Sequence, residues 1–252
     1  MKKEKIFKIG CSGYYNRHWK GVFYPEDLPS SHWLDFYWHF NTLELNSTFY
    51  KFPTVKTLNN WFKKSPDDFI FSVKAPKLIT HFKKFKDVGR LMGDFYLACQ
   101  QGLEHKLGCT LFQLPPSIQY EESKLNEIIG AMNPAFTNVI EFRHKSWWSK
   151  KVYDTLAQNH IVFCSVSHPS MPSTLVVNSQ ISYVRLHGIP KMFYSSYSDQ
   201  ALLDLYDALQ KKSKIKQVFI YFNNTADIAG VMNAKQFQMD TTPQLLKGKG
   251  KA

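Results

Sequence analysis

Tyr183-Val184-Arg185-Leu186-His187 is an apolar strand interrupted by two polar side chains spaced two apart near its C-terminal end. Residues two apart on a strand face the same way, so Arg185 and His187 share one face while Val184 and Leu186 take the other. The pattern recurs along the chain: Glu44 and Asn46 close Leu43-Glu44-Leu45-Asn46, and Ser72 and Lys74 close Phe71-Ser72-Val73-Lys74. Glu141 and Arg143 close Ile140-Glu141-Phe142-Arg143, and Tyr221 and Asn223 close Tyr221-Phe222-Asn223. Gln113 and Ser165 stand singly at two further strand ends. A parallel sheet covered on both faces should be apolar throughout, and buried charge is costly unless it is paired or used. Charges gathered at one end of so many strands therefore predict one shared pocket that holds the chemistry.

Between these strands lie helical patterns. Strands are expected at Ile6–Cys11, Thr42–Asn46, Phe69–Lys74, Cys109–Gln113, Asn138–Arg143, Ile161–Ser165, Ser182–His187 and Gln217–Asn223. Helices are expected near Ser31–Phe40 with Ser30 or Ser31 as cap, from a Thr54 cap to Lys64, and at Val88–Gly102 and Glu121–Met132. Others are expected at Trp148–Gln158, Asp199–Lys212 and Asp227–Phe237, with no helix after the sixth strand. Eight strands in right-handed βαβ units fit a closed barrel, and about 250 residues is the usual size of one. The expectation is an α/β fold: a single (β/α)8 TIM barrel over residues 1–247, with a disordered tail at 248–252. A doubly wound sheet would show a glycine-rich phosphate turn after its first strand. Here Gly10-Cys11-Ser12-Gly13 leads into a long loop instead. Long loops after strands 1 and 7, Ser12–Pro29 and Gly188–Ser198, carry Tyr14, Tyr15, Trp19, Phe23 and Tyr24, and Phe193, Tyr194 and Tyr197. Both would stand on the C-terminal face, where barrel sites form.

The ordered set of segments resembles a known family. The segments are Ile9-Gly10-Cys11-Ser12-Gly13 with Trp19, Gly21, Phe23, Tyr24 and Pro25; Glu44-Leu45-Asn46-Ser47-Thr48-Phe49-Tyr50; and Phe71-Ser72-Val73-Lys74-Ala75-Pro76 with Thr80-His81. Phe112-Gln113-Leu114-Pro115-Pro116, Glu141-Phe142-Arg143-His144, Tyr183 to Gly188 and Tyr221-Phe222-Asn223-Asn224 complete it. The chain is similar over nearly its whole length to the YecE-like family, a domain of unknown function. That resemblance implies a TIM barrel and no established activity. The family often carries Thr at the place of Cys11, Trp at that of Tyr14 and Asp after strand six, where this chain has Ser165-Val166-Ser167-His168-Pro169.

Composition bounds the partners. The chain has 252 residues and a formal net charge of +12, from 32 Lys and Arg against 20 Asp and Glu. Such an excess favours anionic partners through long-range attraction, although a basic surface is also simply well solvated. There is no run of about 18 apolar residues and no signal-peptide core, so no membrane segment and a cytoplasmic location are expected. Cys11, Cys99, Cys109 and Cys164 lack zinc spacing and read as small buried residues.

At the predicted mouth, Lys74, Arg143 and Arg185 meet Glu44 and Glu141. Arg143 and Arg185 suit bidentate anion binding, and Lys74 serves as a point charge, or as a base where desolvated. Glu44 and Glu141 would move protons, with His187 assisting or held as a hydrogen-bonded fixture. Asn46, Gln113 and Asn223 would orient the ligand, and Tyr14, Trp19, Tyr194 and Tyr197 would stack on it. Three readings stand side by side: an enzyme acting on a phosphate-bearing or otherwise anionic substrate, a non-catalytic binder of nucleic acid or an anionic metabolite, and a carboxylate-pair glycosidase. No organic cofactor is expected. Glu44, Glu141 and His187 form a potential divalent-metal set that the adjacent cations disfavour.

Overall fold

The computed structural model describes residues 5–249, with side chains through Thr241. Eight parallel strands, flanked by helices, form a nearly closed barrel. The strands are β1 (Ile6–Cys11), β2 (Thr42–Leu45), β3 (Ile70–Lys74), β4 (Leu107–Gln113), β5 (Asn138–Glu141), β6 (Val162–Ser167), β7 (Ile181–Leu186) and β8 (Gln217–Phe222). The helices are α1 (Trp33–Tyr37), α2 (Ser47–Tyr50), α3 (Val55–Lys64), α4 (Gly89–Leu103), α5 (Glu122–Ala131), α6 (Lys150–Gln158), α7 (Asp199–Lys211) and α8 (Ala229–Lys249).

The period-2 reading of the strands holds. Leu45, Val73, Phe142, Leu186 and Phe222 pack outward in the layer shared with the helices. Inside the barrel, Cys109, Leu111, Val139, Val162, Cys164, Val166, Tyr183, Phe219 and Tyr221 form a second cluster. A tilted eight-stranded barrel leaves an interior just wide enough for side chains to fill, so this is a packed floor and not a pore. Above it the Tyr221 hydroxyl links Thr42 Oγ1 at 2.5 Å to Ser72 Oγ at 2.8 Å. All four cysteines are buried and free.

Several boundaries differ from expectation. The first helix is one short turn of 3-10 helix, Ser30–His32, followed by α1, and neither Ser30 nor Ser31 caps it through its side chain. The strand ends are trimmed, so Asn46, Arg143, His187 and Asn223 lie just past their strands. Strand bonding still reaches two of them, since the His187 amide donates to the Ser167 carbonyl at 2.9 Å and the Asn223 amide to the Leu186 carbonyl at 2.8 Å. After β2 a short α2 intervenes, and a single π-helical turn, Leu78–Phe82, follows β3. The last helix continues to Lys249 although its apolar periodicity fades after Phe237. Gly248 and Lys249 of the expected tail are therefore helical, and residues 250–252 lie outside the described residues. Thr54 caps α3 through a reciprocal capping box with Thr57, as the sequence indicates. No helix follows β6 before β7.

The barrel closes by an unusual device. β1 and β2 lie at the two ends of the backbone ladder. Side chains zip the seam between them. The Ile9 amide donates to Asn41 Oδ1 at 2.8 Å, and Asn41 Nδ2 donates to the Phe7 carbonyl at 3.0 Å. One carboxamide thus replaces a strand residue, since it carries the same donor and acceptor as a peptide. Beside it the Cys11 amide donates to the Tyr37 hydroxyl at 2.7 Å, which donates on to the Thr42 carbonyl at 3.3 Å. Gly10 permits the approach: a Cβ there would sit 2.1 Å from the Thr42 carbonyl oxygen. Asn178 repeats the device at the foot of β6, accepting from the Phe163 amide at 3.0 Å and donating to the Ile161 carbonyl at 2.8 Å. Replacing Asn41 with Ala leaves a backbone donor and acceptor unpaired at the seam, so Asn41→Ala is expected to cost about 2–4 kcal/mol in denaturant unfolding. Asn41→Asp, which keeps only the acceptor, should fall between that variant and the wild type.

Candidate functional site at the barrel mouth

Inward side chains of β2, β5 and β7, with Ser12 just past β1, meet in a buried charge network. Glu44 and Glu141 are both 0% exposed and Arg185 is 1% exposed. Arg185 grips Glu44 bidentately, with Nη2 to Oε1 at 2.7 Å and Nε to Oε2 at 3.1 Å. Its Nη1 donates to Glu141 Oε2 at 2.6 Å. Glu44 also accepts from the Ser12 hydroxyl at 2.7 Å and from the Tyr183 hydroxyl at 2.6 Å. Glu141 takes a second ion pair from Arg143 Nε. Burial alone would raise the Glu141 carboxyl, but Arg143, Arg185 and His187 outweigh it and hold it well below the usual carboxylate range. The Arg185 guanidinium is correspondingly locked in its charged form: burial opposes the charge, and Glu141 and Glu44 more than compensate.

A second layer stands nearer solvent. Lys74, 9% exposed at the end of β3, donates to Gln113 Oε1 at 2.8 Å and lies 4.1 Å over the Phe49 ring. Burial and the charge of Arg185 push its ammonium down to about 7, against the pull of Glu141 and Glu44. Arg143, with its side chain 12% exposed, bridges the two layers. His187 is fully buried between them. Its Nδ1 is 2.7 Å from the Asn223 amide, and its Nε2 is 3.2 Å from Arg143 Nη2 and 3.3 Å from Glu141 Oε1. Burial holds this imidazole at about 3 despite Glu141, so the ring is neutral at neutral pH. His81, next to the Phe49 ring, is held at about 4 by burial and then by Lys74 and Arg143.

The residues expected to share the site divide accordingly. Glu44, Glu141 and Arg185 form its buried base, Lys74, Gln113 and Asn223 its upper layer, and Arg143 and His187 lie between the two. Arg185 differs from the expectation of an anion grip, because its donors are spent on two carboxylates and Ser12 below the mouth. Asn46 and Tyr14 line a neighbouring cavity of about 300 Å³ with Tyr15 and Trp61, where Asn46 Oδ1 has no hydrogen-bond partner. Trp19 is not available for stacking: it is buried against Phe23 and Tyr24, with its indole donating to the Asp227 carbonyl at 3.0 Å. Tyr197 is a loop clamp whose hydroxyl accepts from the Gly188 amide and donates to Ser167 Oγ, both at 2.8 Å. Tyr194 is 51% exposed, with Lys191 Nζ 4.3 Å over its ring. Ser12, Tyr183, Phe49 and His81 were not singled out from sequence. The same period-2 rule points to the first two, since Tyr183 lies two before Arg185 and Ser12 two after Gly10. Phe49 and His81 enter through the α2 and π-helical turns, which no strand rule describes. Among the described residues, no group of three His, Cys, Asp or Glu side chains is placed to hold a metal ion. None of the helices among them is long and apolar enough to cross a membrane.

These features define a TIM-barrel protein with a buried charge network at the C-terminal ends of its strands. The chain belongs to the family described as "Protein of unknown function DUF72", whose model matches residues 8–249. It is 26% identical over 231 residues to the UPF0759 protein YunF of Bacillus subtilis, covering 79% of this chain and 82% of that one. It is 28% identical over 113 residues to the UPF0759 protein YecE of Escherichia coli K12, covering 44% of this chain and 41% of that one. The crystal structure of a DUF72 family protein from Thermotoga maritima superposes with a TM-score of 0.84 at 28% identity, over 94% of this chain and 99% of that one. A DUF72 protein from Enterococcus faecalis, 18% identical, shares the fold with a TM-score of 0.80 over 93% of this chain and 94% of that one.

Proposed function

We propose that this protein binds a small anionic substrate at the barrel mouth, held by Arg143 and Lys74, and that Lys74 is the group that exchanges protons with it. The observation that carries this reading is the charge balance of the network. Three cations, Lys74, Arg143 and Arg185, face two carboxylates, and both carboxylates are engaged by arginines beneath the mouth. The surplus positive charge is therefore the part nearest solvent. Arg143, whose Nε and Nη2 already meet Glu141 and His187, keeps Nη1 for a phosphate or carboxylate, and Lys74 adds a compact point charge. The glycosidase reading is disfavoured because one carboxyl of such a pair must be protonated to act as acid. Glu141 is held ionised, and Glu44 is fully occupied by Arg185, Ser12 and Tyr183.

Sulfate is a useful probe because its charge is constant near neutral pH. Binding an anion favours protonated Lys74, so sulfate affinity should fall as pH rises through about 7, by at most about tenfold per pH unit. Arg143→Gln should weaken sulfate about tenfold or more, measured by calorimetry. An affinity that is flat between pH 6 and 9 and indifferent to Arg143 would refute the reading. Exposed Tyr194 with Lys191, and Tyr50 and Phe82 flanking Lys77, favour a second, larger ligand class, single-stranded nucleic acid. That reading requires a steep fall of log affinity with log salt.

A further inference from the structure

Among the described residues two lysines are nearly buried, and their surroundings are opposite. Lys106, 2% exposed, is a satisfied structural cation. It donates to the Phe62 carbonyl at 2.9 Å, the Ser65 carbonyl at 2.8 Å and Ser65 Oγ at 3.1 Å, with Asp67 at 4.0 Å. Lys74, 9% exposed, has one hydrogen-bond acceptor for three donors, the neutral Gln113 amide, and no carboxylate within 4.0 Å among the described residues. The network beneath explains the difference. Both nearby glutamates are held by arginines, Glu44 by Arg185 and Glu141 by Arg143 and Arg185, so neither is free to serve as a counterion for Lys74. An ammonium held in this way is poised to be a free amine, and a desolvated lysine beside other cations is the arrangement that activates an amine nucleophile.

We propose that Lys74 is a Schiff-base nucleophile and that the substrate is a small carbonyl compound carrying a carboxylate or phosphate, whose anionic group docks on Arg143. This rests on the anion-binding reading above and narrows its substrate class. The Lys74 lone pair attacks the carbonyl carbon and forms the C–N bond, while the C=O pair moves to oxygen. That oxygen leaves as water with the two protons the amine brought, and the nitrogen lone pair closes the C=N bond. Amine and carbonyl thus give imine and water, with no oxidant or reductant. The depressed proton affinity of Lys74, lowered to about 7 by burial and then by Arg185, supports the same assignment, because free amine and ammonium are both present near neutral pH. Phe49, across the face of Nζ, and Gln113 orient the amine without neutralising its neighbours.

The test uses the unmodified protein at pH 7 with cyanoborohydride, which reduces an imine to a stable amine. Pyruvate is the carboxylate probe and dihydroxyacetone phosphate the phosphate probe, with acetone as the neutral control. Peptide mass mapping follows the adduct on each lysine over time. With at least one anionic probe, Lys74 should be modified about tenfold or more faster than any other lysine. Sulfate should slow that modification, and acetone, which has no group for Arg143, should modify Lys74 more slowly than the anionic probes do and without inhibition by sulfate. If Lys74 reacts no faster than the surface lysines with either anionic probe, the Schiff-base assignment is wrong. Should sulfate then still bind in an Arg143-dependent manner, the anion site survives without it; loss of both removes both readings.

Discussion

Replacing Arg185 with Met should lower thermal stability more than any other single change at the mouth. Arg185 supplies two bonds to Glu44 and one to Glu141, and both carboxylates are shut off from water. Removing one partner of a buried ion pair leaves uncompensated charge in a medium of low dielectric, at a cost of about 3–5 kcal/mol. Glu44 would keep only the hydroxyls of Ser12 and Tyr183, whereas Glu141 would still have Arg143. In a domain of this size a loss of that order lowers the melting temperature by about 6–20 °C. Combining Arg185→Met with Glu44→Gln and Glu141→Gln removes the charges together and should recover most of the loss, because neutral packing often equals a buried salt bridge. A melting temperature within about 2 °C of wild type for Arg185→Met alone would show that the network does not hold the mouth together.

Lys74→Met should do the opposite to the fold while abolishing sulfate binding. Lys74 is held near 7, below its ordinary value of 10.5, chiefly by burial and next by Arg185. The sign follows from proton counts. Between about pH 7 and 10.5 the unfolded chain binds a proton at this lysine that the folded protein does not, so wild-type stability rises with pH across that window. Below about 7 both states are protonated, and the folded protein carries the full penalty of a buried ammonium. Each tenfold loss of proton affinity on folding corresponds to about 1.4 kcal/mol, so Lys74→Met should stabilise the protein by a few kcal/mol at about pH 6 and by little at about pH 10.5. Denaturant unfolding of both proteins across that range measures the difference. Stability gained as binding is lost is the signature of a residue kept for function against the fold's preference. Equal stability of the two proteins at pH 6 would mean that Lys74 is adequately solvated and not poised.

How far the sequence could be read follows from which rules are local. Period-2 alternation tells which side chains of a strand face inward, and that sufficed for Glu44, Lys74, Glu141, Arg143, Arg185 and His187. The alternation of strands with helices then placed the polar ends on one rim. The zipped seam lay beyond such reading, because Asn41 and Tyr37 act as strand substitutes only once β1 and β2 are brought together. The aromatic loops misled for a related reason. Trp19 and Tyr197 lie in loops at the mouth, yet their polar atoms hold the loops down instead of facing a ligand.

By itself the sequence determined the barrel, the rim that carries the polar residues and the excess of positive charge there. These depend on strand periodicity and on chain order, both written along the chain. Only the tertiary structure decided which charge meets which. Arg185 pairs with Glu44 from 141 residues away and with Glu141 from 44 away, and closure of the barrel sets those distances. Depth below the mouth then sorts the ring. Burial penalises unpaired charge, so Arg185 and the two carboxylates lock together underneath, while Lys74, slightly more exposed, has no carboxylate within 4.0 Å among the described residues.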